Sequence, residues 1–339
     1  MTIKDLARET GYSVGTISRV LNNQPNVSER ARDRIMAAVE KHNFSLNTNA
    51  KNLKQQHSTN IIAVVKGTAN ELFSALVEQM QRLFVNSKYS LVTDFIDEDD
   101  NEVLRGVQLC QERKPLGLLF LGGNNRNFLS DFQRISVPCV LVTNDARMLP
   151  FPNLSSVSTD DRAAARCAVE YLIENGHRRV AVLGGSEVSD TSRLRYSGWL
   201  DAMIAHDIPP QERAPHAIGR YSYRGGYRAM QEVLARDREV SAVFAMADVM
   251  AVGAIRAIRE SGLRVPEDIS VVGFDGLQLG EFTTPKLTSI YQVTEALAAQ
   301  SVRILFDCIE CAAPARHETV RFSLRAGESV TPYALHSKA

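Results

Sequence analysis

Apolar residues recur at helical spacing in three short runs near the N-terminus, and then the period changes. Ile3, Leu6, Ala7 and Thr10 share one face of a first helix. Gly11 ends it, where a sharp turn between helices favours positive φ. Ile17, Val20 and Leu21 stripe a second helix, and Ile35, Ala38 and Val39 a third. Ser28 is suited to cap the third helix, with Glu29 favourable beside its positive end, and Asn43 to close it in a left-handed conformation. Residues 45–60 are polar, with only Leu46, Ala50 and Leu53 apolar. Such a segment cannot bury enough surface to fold unaided and reads as a linker.

From Ile61 onward, short apolar runs alternate with amphipathic stretches. Strands are expected at Ile61–Val65, Leu116–Leu121, Val137–Val142, Val180–Leu183, Ala242–Ala245 and Ile269–Phe274, with helices including Leu72–Asn86, Ala163–Asn175 and Met250–Ser261. This alternation predicts doubly wound parallel sheets. About 280 residues are too many for one such sheet, so two similar lobes are expected.

Charge divides the chain as sharply as the pattern does. The net charge is zero, yet residues 1–57 hold nine Lys/Arg against five acids, so a basic head sits on an acidic body. That asymmetry points to a polyanion partner for the head alone. The five cysteines (Cys110, Cys139, Cys167, Cys308 and Cys311) are odd in number and scattered, as reduced thiols in a cytosolic protein would be. Cys308 and Cys311 have a zinc or redox spacing without a second Cys/His pair, and two small residues one helical turn apart explain them as well. The opening Thr2, Lys4 and Asp5 do not read as a secretion signal, and no apolar run approaches a membrane span. A cytoplasmic protein with no membrane partner is expected.

The strongest chemical signal is the stretch from Thr2 to Asn22, read as a helix-turn-helix. With Ile17, Val20 and Leu21 facing inward, Val14, Gly15, Ser18, Arg19 and Asn22 face outward, where a major groove would lie. Ser13, Thr16 and Asn22 can donate to phosphates, Arg19 can read a guanine edge, and Val14 can meet a thymine methyl. A three-helix structural module with a solvated face would show the same periodicity.

This stretch resembles the head of the lac repressor/galactose repressor family of bacterial regulators, and the likeness continues along the chain. It runs through Val27-Ser28-Glu29, Ala50-Lys51-Asn52-Leu53, the segments 171–180 and 195–199, Ala247–Ala254, Leu263–Asp275 and Thr284–Ile290. The resemblance implies a helix-turn-helix head over 1–44, a hinge over 45–60 that becomes a helix on the operator, and a bilobed effector and dimerisation domain over 61–339. Lobe one would cover about 61–158 and 293–321, and lobe two about 162–290 and 323–339. It implies that Leu53 wedges a central base step in the minor groove, with Ala50 permitting close helix approach and Asn49 and Lys51 near the backbone. Two departures stand out. Leu46 occupies a place where the family often has Pro, and Gly15 replaces a larger polar side chain at a specificity position.

The larger domain resembles periplasmic sugar-binding proteins, with a ligand clamped between lobes beyond the carboxyl ends of the strands. The resemblance places Phe73, Asn144, Asp160, Arg195, Tyr221 and Asp275 on the ligand, with Asp248 at the pocket edge; Arg195 and Asp275 are expected on one lobe, orienting each other. Aromatic rings suit a sugar's C–H face, and Asp, Asn and Arg suit its hydroxyls. Asp97–Glu102 lacks the glycine and spaced glutamate of a calcium loop and reads as a solvated turn before a helix. Gly122-Gly123 and Gly184-Gly185 do not extend to a phosphate-binding motif, and no nucleophile elbow or zinc spacing occurs. A regulator without catalysis, cofactor or metal is therefore expected, acting as a homodimer on a pseudo-palindromic operator under a small-molecule, carbohydrate effector. Seven residues after Pro332 are too few for the heptad zipper that makes tetramers. The rival is a solute-binding protein of the same bilobed fold, against which the basic head argues.

Overall fold

The computed structural model describes residues 3–21, 27–42, 59–67, 70–186 and 188–333. They form two compact units, one up to Ser58 and one from Thr59, each taken by itself below. Asn22, Asn43, Asn49, Ala50 and Leu53 lie outside the described residues.

In the first unit α1 (Ile3–Thr10), α2 (Val14–Leu21) and α3 (Glu29–Lys41) follow the three predicted runs. Leu6, Ile17, Val20, Ile35 and Ala38 meet in one small core. Gly11 has φ +74° and donates its N–H to the Ala7 carbonyl at 3.0 Å, so the turn uses its missing Cβ. Ser13 starts α2, its Oγ accepting the Thr16 N–H at 3.1 Å. Ser28 does occupy the N-cap of α3, but its hydroxyl makes no capping bond; its carbonyl instead takes the Ala31 and Arg32 N–H groups. Glu9 ties α1 to the end of α3 through Lys41 Nζ at 2.9 Å and His42 Nε2 at 2.8 Å.

The second unit alternates strand and helix. In chain order it comprises β1 (Asn60–Lys66), α4 (Glu71–Phe84), β2 (Ser90–Ile96), α5 (Glu102–Arg113), β3 (Gly117–Leu121), α6 (Asn125–Asp131), β4 (Cys139–Val142) and β5 (Leu154–Thr159). There follow α7 (Asp161–Glu174), β6 (Val180–Gly184), α8 (Asp190–Ala205), β7 (His216–Ile218), α9 (Tyr223–Arg236), β8 (Ala242–Ala245), α10 (Asp248–Glu260) and β9 (Ser270–Asp275). The last elements are β10 (Thr288–Gln292), α11 (Thr294–Cys311), β11 (His317–Val320) and β12 (Phe322–Arg325).

The strands build two six-stranded sheets, ordered β11-β5-β4-β3-β1-β2 and β12-β10-β9-β8-β6-β7. The first sheet is parallel throughout. The second departs from the expected all-parallel pairing, because β12 runs antiparallel to β10 at the edge. Central strands are covered on both faces and so read as unbroken apolar runs. In β1, Ile61, Ala63 and Val65 pack into one core while Ile62 and Val64 pack into the other. The chain passes between sheets three times, after β5, after β10 and between β11 and β12. Among the described residues no helix is long and apolar enough to cross a membrane.

Candidate functional site

The outward face of α2 carries what the periodicity predicted. Ile17 and Val20 are buried, whereas Val14, Gly15 and Arg19 are exposed and Thr16 and Ser18 half-buried. Ser13 is already engaged as the helix cap, with Thr16 as its partner. Its hydroxyl is therefore oriented at the N-terminus of α2, where backbone N–H groups also favour an anion.

In the second unit, the carboxyl ends of both sheets open onto one cleft of about 540 Å³. Turns after β1, β2, β3 and β4 form one wall, and those after β6, β7 and β9 form the other. Of the seven non-glycine residues with positive φ among the described residues, four line this cleft: Thr143, Arg220, Tyr221 and Asp275. Strained backbone gathered at one place is held there by its surroundings and marks a site of use.

The second wall is built around Arg195, which is 4% exposed. Its Nε donates to Asp161 at 2.7 Å, its Nη1 to the Met246 carbonyl, and the guanidinium lies 3.6 Å from the ring centre of Phe274. Asp275 Oδ1 is 3.8 Å from Nη1 and accepts Gln292 Nε2 at 2.9 Å. Gln292 in turn accepts the Thr159 hydroxyl at 2.8 Å, so one amide joins Asp275 to two of the three passages between sheets. Burial pushes the Asp275 carboxyl up to about 7 even though Arg195 pulls it down, and burial raises Asp161 as well. Tyr221 lies beside them, its hydroxyl 2.7 Å from Ser192 Oγ. A Cβ on Gly185 would fall 2.0 Å from the Tyr221 ring, so glycine there admits the aromatic side chain.

The first wall has its own buried pair. Glu102, fully buried at the start of α5, accepts Lys66 Nζ at 2.6 Å, the Asn124 N–H at 2.7 Å and Asn127 Nδ2 at 3.0 Å. Phe73 on α4 packs its ring against Gly122 at the edge of the cleft. Asn144 donates across the cleft to Thr191 Oγ1 at 3.3 Å, and Asn124 to the Val188 carbonyl at 3.2 Å. At the mouth, Arg220 forks onto Asp99 at 2.5 and 2.7 Å, and the Tyr223 hydroxyl donates to Glu71. The two lobes are thus held together over the cleft.

Phe73, Asn144, Arg195, Tyr221 and Asp275 are brought together along this cleft. Asp160 is not among its lining residues: its Oδ1 caps α7 by accepting the Ala163 N–H at 3.0 Å, which leaves it exposed. The next residue, Asp161, takes the inward position. Asp248 is not at the edge either, being fully buried behind Asp275, where it accepts the Leu277 N–H at 2.7 Å and the Ser289 hydroxyl at 2.6 Å. Burial and the neighbouring Asp275 hold its carboxyl well above the usual range. Arg195 and Asp275 do share one lobe, but the main partner of the arginine is Asp161. The acidic turn at 97–100 is more than a solvated loop, since Asp97, Glu98 and Asp99 line the cleft.

A helix-turn-helix unit joined to a bilobed, ligand-enclosing domain defines a class of ligand-responsive DNA-binding regulators. Residues 2–47 match the bacterial regulatory proteins of the lacI family, and residues 169–330 a periplasmic binding protein-like domain. The chain is 34% identical over 316 residues to the HTH-type transcriptional regulator MalR of Clostridium butyricum, covering 91% of this chain and 93% of that one. It superposes with a TM-score of 0.82 at 26% identity on the lac repressor dimer bound to operator and the anti-inducer ONPF, over 98% of this chain and 99% of that one. A complex of the transcriptional regulator CelR with cellobiose matches with a TM-score of 0.70 at 27% identity, over 97% and 99%. The chain belongs to the lacI family of bacterial regulatory proteins. It is a DNA-binding transcriptional regulator with an effector domain, not an enzyme.

Proposed function

We propose that the chain is a cytoplasmic repressor that binds a pseudo-palindromic operator as a homodimer, and that a carbohydrate in the cleft sets its DNA affinity. The observation that carries this reading is the Asp161–Arg195–Asp275 cluster, charged groups buried at strand ends between two lobes. Such groups pair with neighbouring hydroxyls at little further desolvation cost, while Phe73 and Tyr221 offer aromatic faces to a sugar ring. The cellobiose-bound relative and the operator-bound lac repressor dimer support the same assignment.

In this reading Arg19 reads a guanine edge, and Ser13 and Thr16 fix register on phosphates. The effector bridges both walls of the cleft, so it favours one lobe angle. The Asp275–Gln292–Thr159 chain carries that preference into the passages between sheets. Effector and operator then weaken or strengthen each other by the same factor.

Two variants test the two halves on one full-length protein. Arg19→Ala weakens operator binding by about 1–3 kcal/mol, read by gel shift, and leaves effector binding intact. Asp275→Ala leaves operator binding in place and weakens effector binding roughly tenfold to hundredfold, read by calorimetry, because an effector hydroxyl loses its acceptor. Wild-type values for both variants would remove the assignment.

A further inference from the structure

The charges of the cleft are committed to one another, and this limits what the cleft accepts. Three cations line it, and each is paired. Lys66 Nζ is held by Glu102 at 2.6 Å and the Asp100 carbonyl at 2.8 Å. Arg195 is held by Asp161 and the Met246 carbonyl, and Arg220 by both carboxylate oxygens of Asp99. Against them stand Asp97 and Glu98, which also line the cleft and form no ion pair among the described residues. A ligand carboxylate or phosphate would compete with the carboxylates already paired to these cations and lie beside the unpaired Asp97 and Glu98. A neutral ligand has neither penalty, and its hydroxyls donate to the acids that remain.

The dimensions give a second constraint. A volume of about 540 Å³ falls within the roughly 300–1,000 Å³ of sites that enclose drug-sized ligands, and exceeds what one hexose ring occupies. The lining also carries polar groups besides the buried Arg195 and Asp275, among them Asn70, Asn124, Asn127, Asp97 and Ser189, from both walls. We infer that the effector is an uncharged sugar of at least two rings, and that acidic sugars and sugar phosphates are excluded. The inference rests on the carbohydrate reading of the cleft given above.

Calorimetry on the full-length protein with a matched panel tests it. The panel contains glucose, galactose, maltose, cellobiose and lactose, with glucuronate, galacturonate and glucose 6-phosphate as the acids. The tightest ligand is expected to be a neutral disaccharide, at least about tenfold tighter than its own monosaccharide, with the acids weaker still. A monosaccharide or an acid as the tightest ligand overturns the inference and leaves the carbohydrate reading standing. Failure of every sugar, neutral and acidic, removes the carbohydrate reading and the inference with it. A second arm tests the cause of the exclusion. Asp99→Asn releases Arg220, so glucuronate and glucose 6-phosphate should bind about tenfold more tightly than they do to the parent protein. Equal acid affinity in parent and variant would show that the committed cations are not what excludes anions.

Discussion

The two walls of the cleft differ in charge balance. Among the buried charges of the first, one cation meets one anion: Lys66 and Glu102 pair at 2.6 Å, and the remaining capacity of Glu102 is taken by Asn124 and Asn127. On the second, a single guanidinium serves Asp161 and Asp275, with buried Asp248 behind them. One positive charge cannot offset three buried carboxyls, and burial accordingly raises all three. The first wall is therefore a fixed frame for its asparagines. The second is poised, because a proton or a ligand hydroxyl changes its balance, and through Gln292 it reaches the passages between the lobes.

The most damaging way to break this comparison is to remove the shared cation. Arg195→Met keeps much of the side-chain volume and strands Asp161 in the interior, a loss of about 3–5 kcal/mol of stability by chemical denaturation. Combining it with Asp161→Asn should recover a good part of that loss, since the uncompensated charge disappears. On the balanced wall the effect is smaller. Glu102→Gln leaves Lys66 with the Asp100 carbonyl and, at 16% side-chain exposure, some access to water. It should cost roughly 1–3 kcal/mol, together with looser packing of Asn124 that weakens effector binding. Equal costs for the two variants would mean that charge balance does not distinguish the walls.

Much of this architecture was legible in the sequence, and the misses have a common physical origin. Buried parallel strands announce themselves as apolar runs such as Ile61–Val65, and the face of α2 follows from Ile17 and Val20 alone. The committed carboxylates were harder to place. Asp161, Ala164, Ala165 and Ala168 follow the i, i+3, i+4, i+7 stripe of α7, and all four are buried. A carboxylate on such a stripe demands a partner, and that signal separates Asp161 from the exposed cap Asp160. Asp248 stands on the buried stripe of α10 with Ala251 and Ile255, which is why it lies behind the cleft and not at its edge. Glu102 begins the buried side of α5 in the same way. What the pattern does not carry is long-range pairing. The contact of Gln292 with Thr159 spans 133 positions, and the antiparallel turn of β12 onto β10 depends on where the chain last passes between sheets.

The subtlest difference between the walls appears on titration. The folded-state carboxyl of Asp275 is raised to about 7 from an ordinary value of 3.8, with burial as the main cause. A raised carboxyl holds its proton more firmly in the folded chain than in the unfolded one. Its contribution to stability is thus full below the unfolded value and is lost as pH rises through about 7. An effector hydroxyl that donates to Asp275 is held more strongly by the carboxylate than by the protonated acid, so effector affinity runs in the opposite direction. It should be level above neutral pH and fall toward tenfold per unit of pH below it. Between pH 4 and 7, then, acid favours the ligand-free fold at this residue while it disfavours the complex. Asp275→Asn removes the Asp275 share of both trends, because its amide does not titrate, while the raised Asp161 and Asp248 carboxyls keep a shallower stability slope of the same sign. Calorimetric titrations of parent and variant at pH 5.5, 6.5 and 7.5, chosen to straddle the raised value, read the affinity slope directly. Denaturation of the same samples without sugar reads the stability slope. Parallel affinity slopes for parent and Asp275→Asn would place the titrating group at a residue other than Asp275.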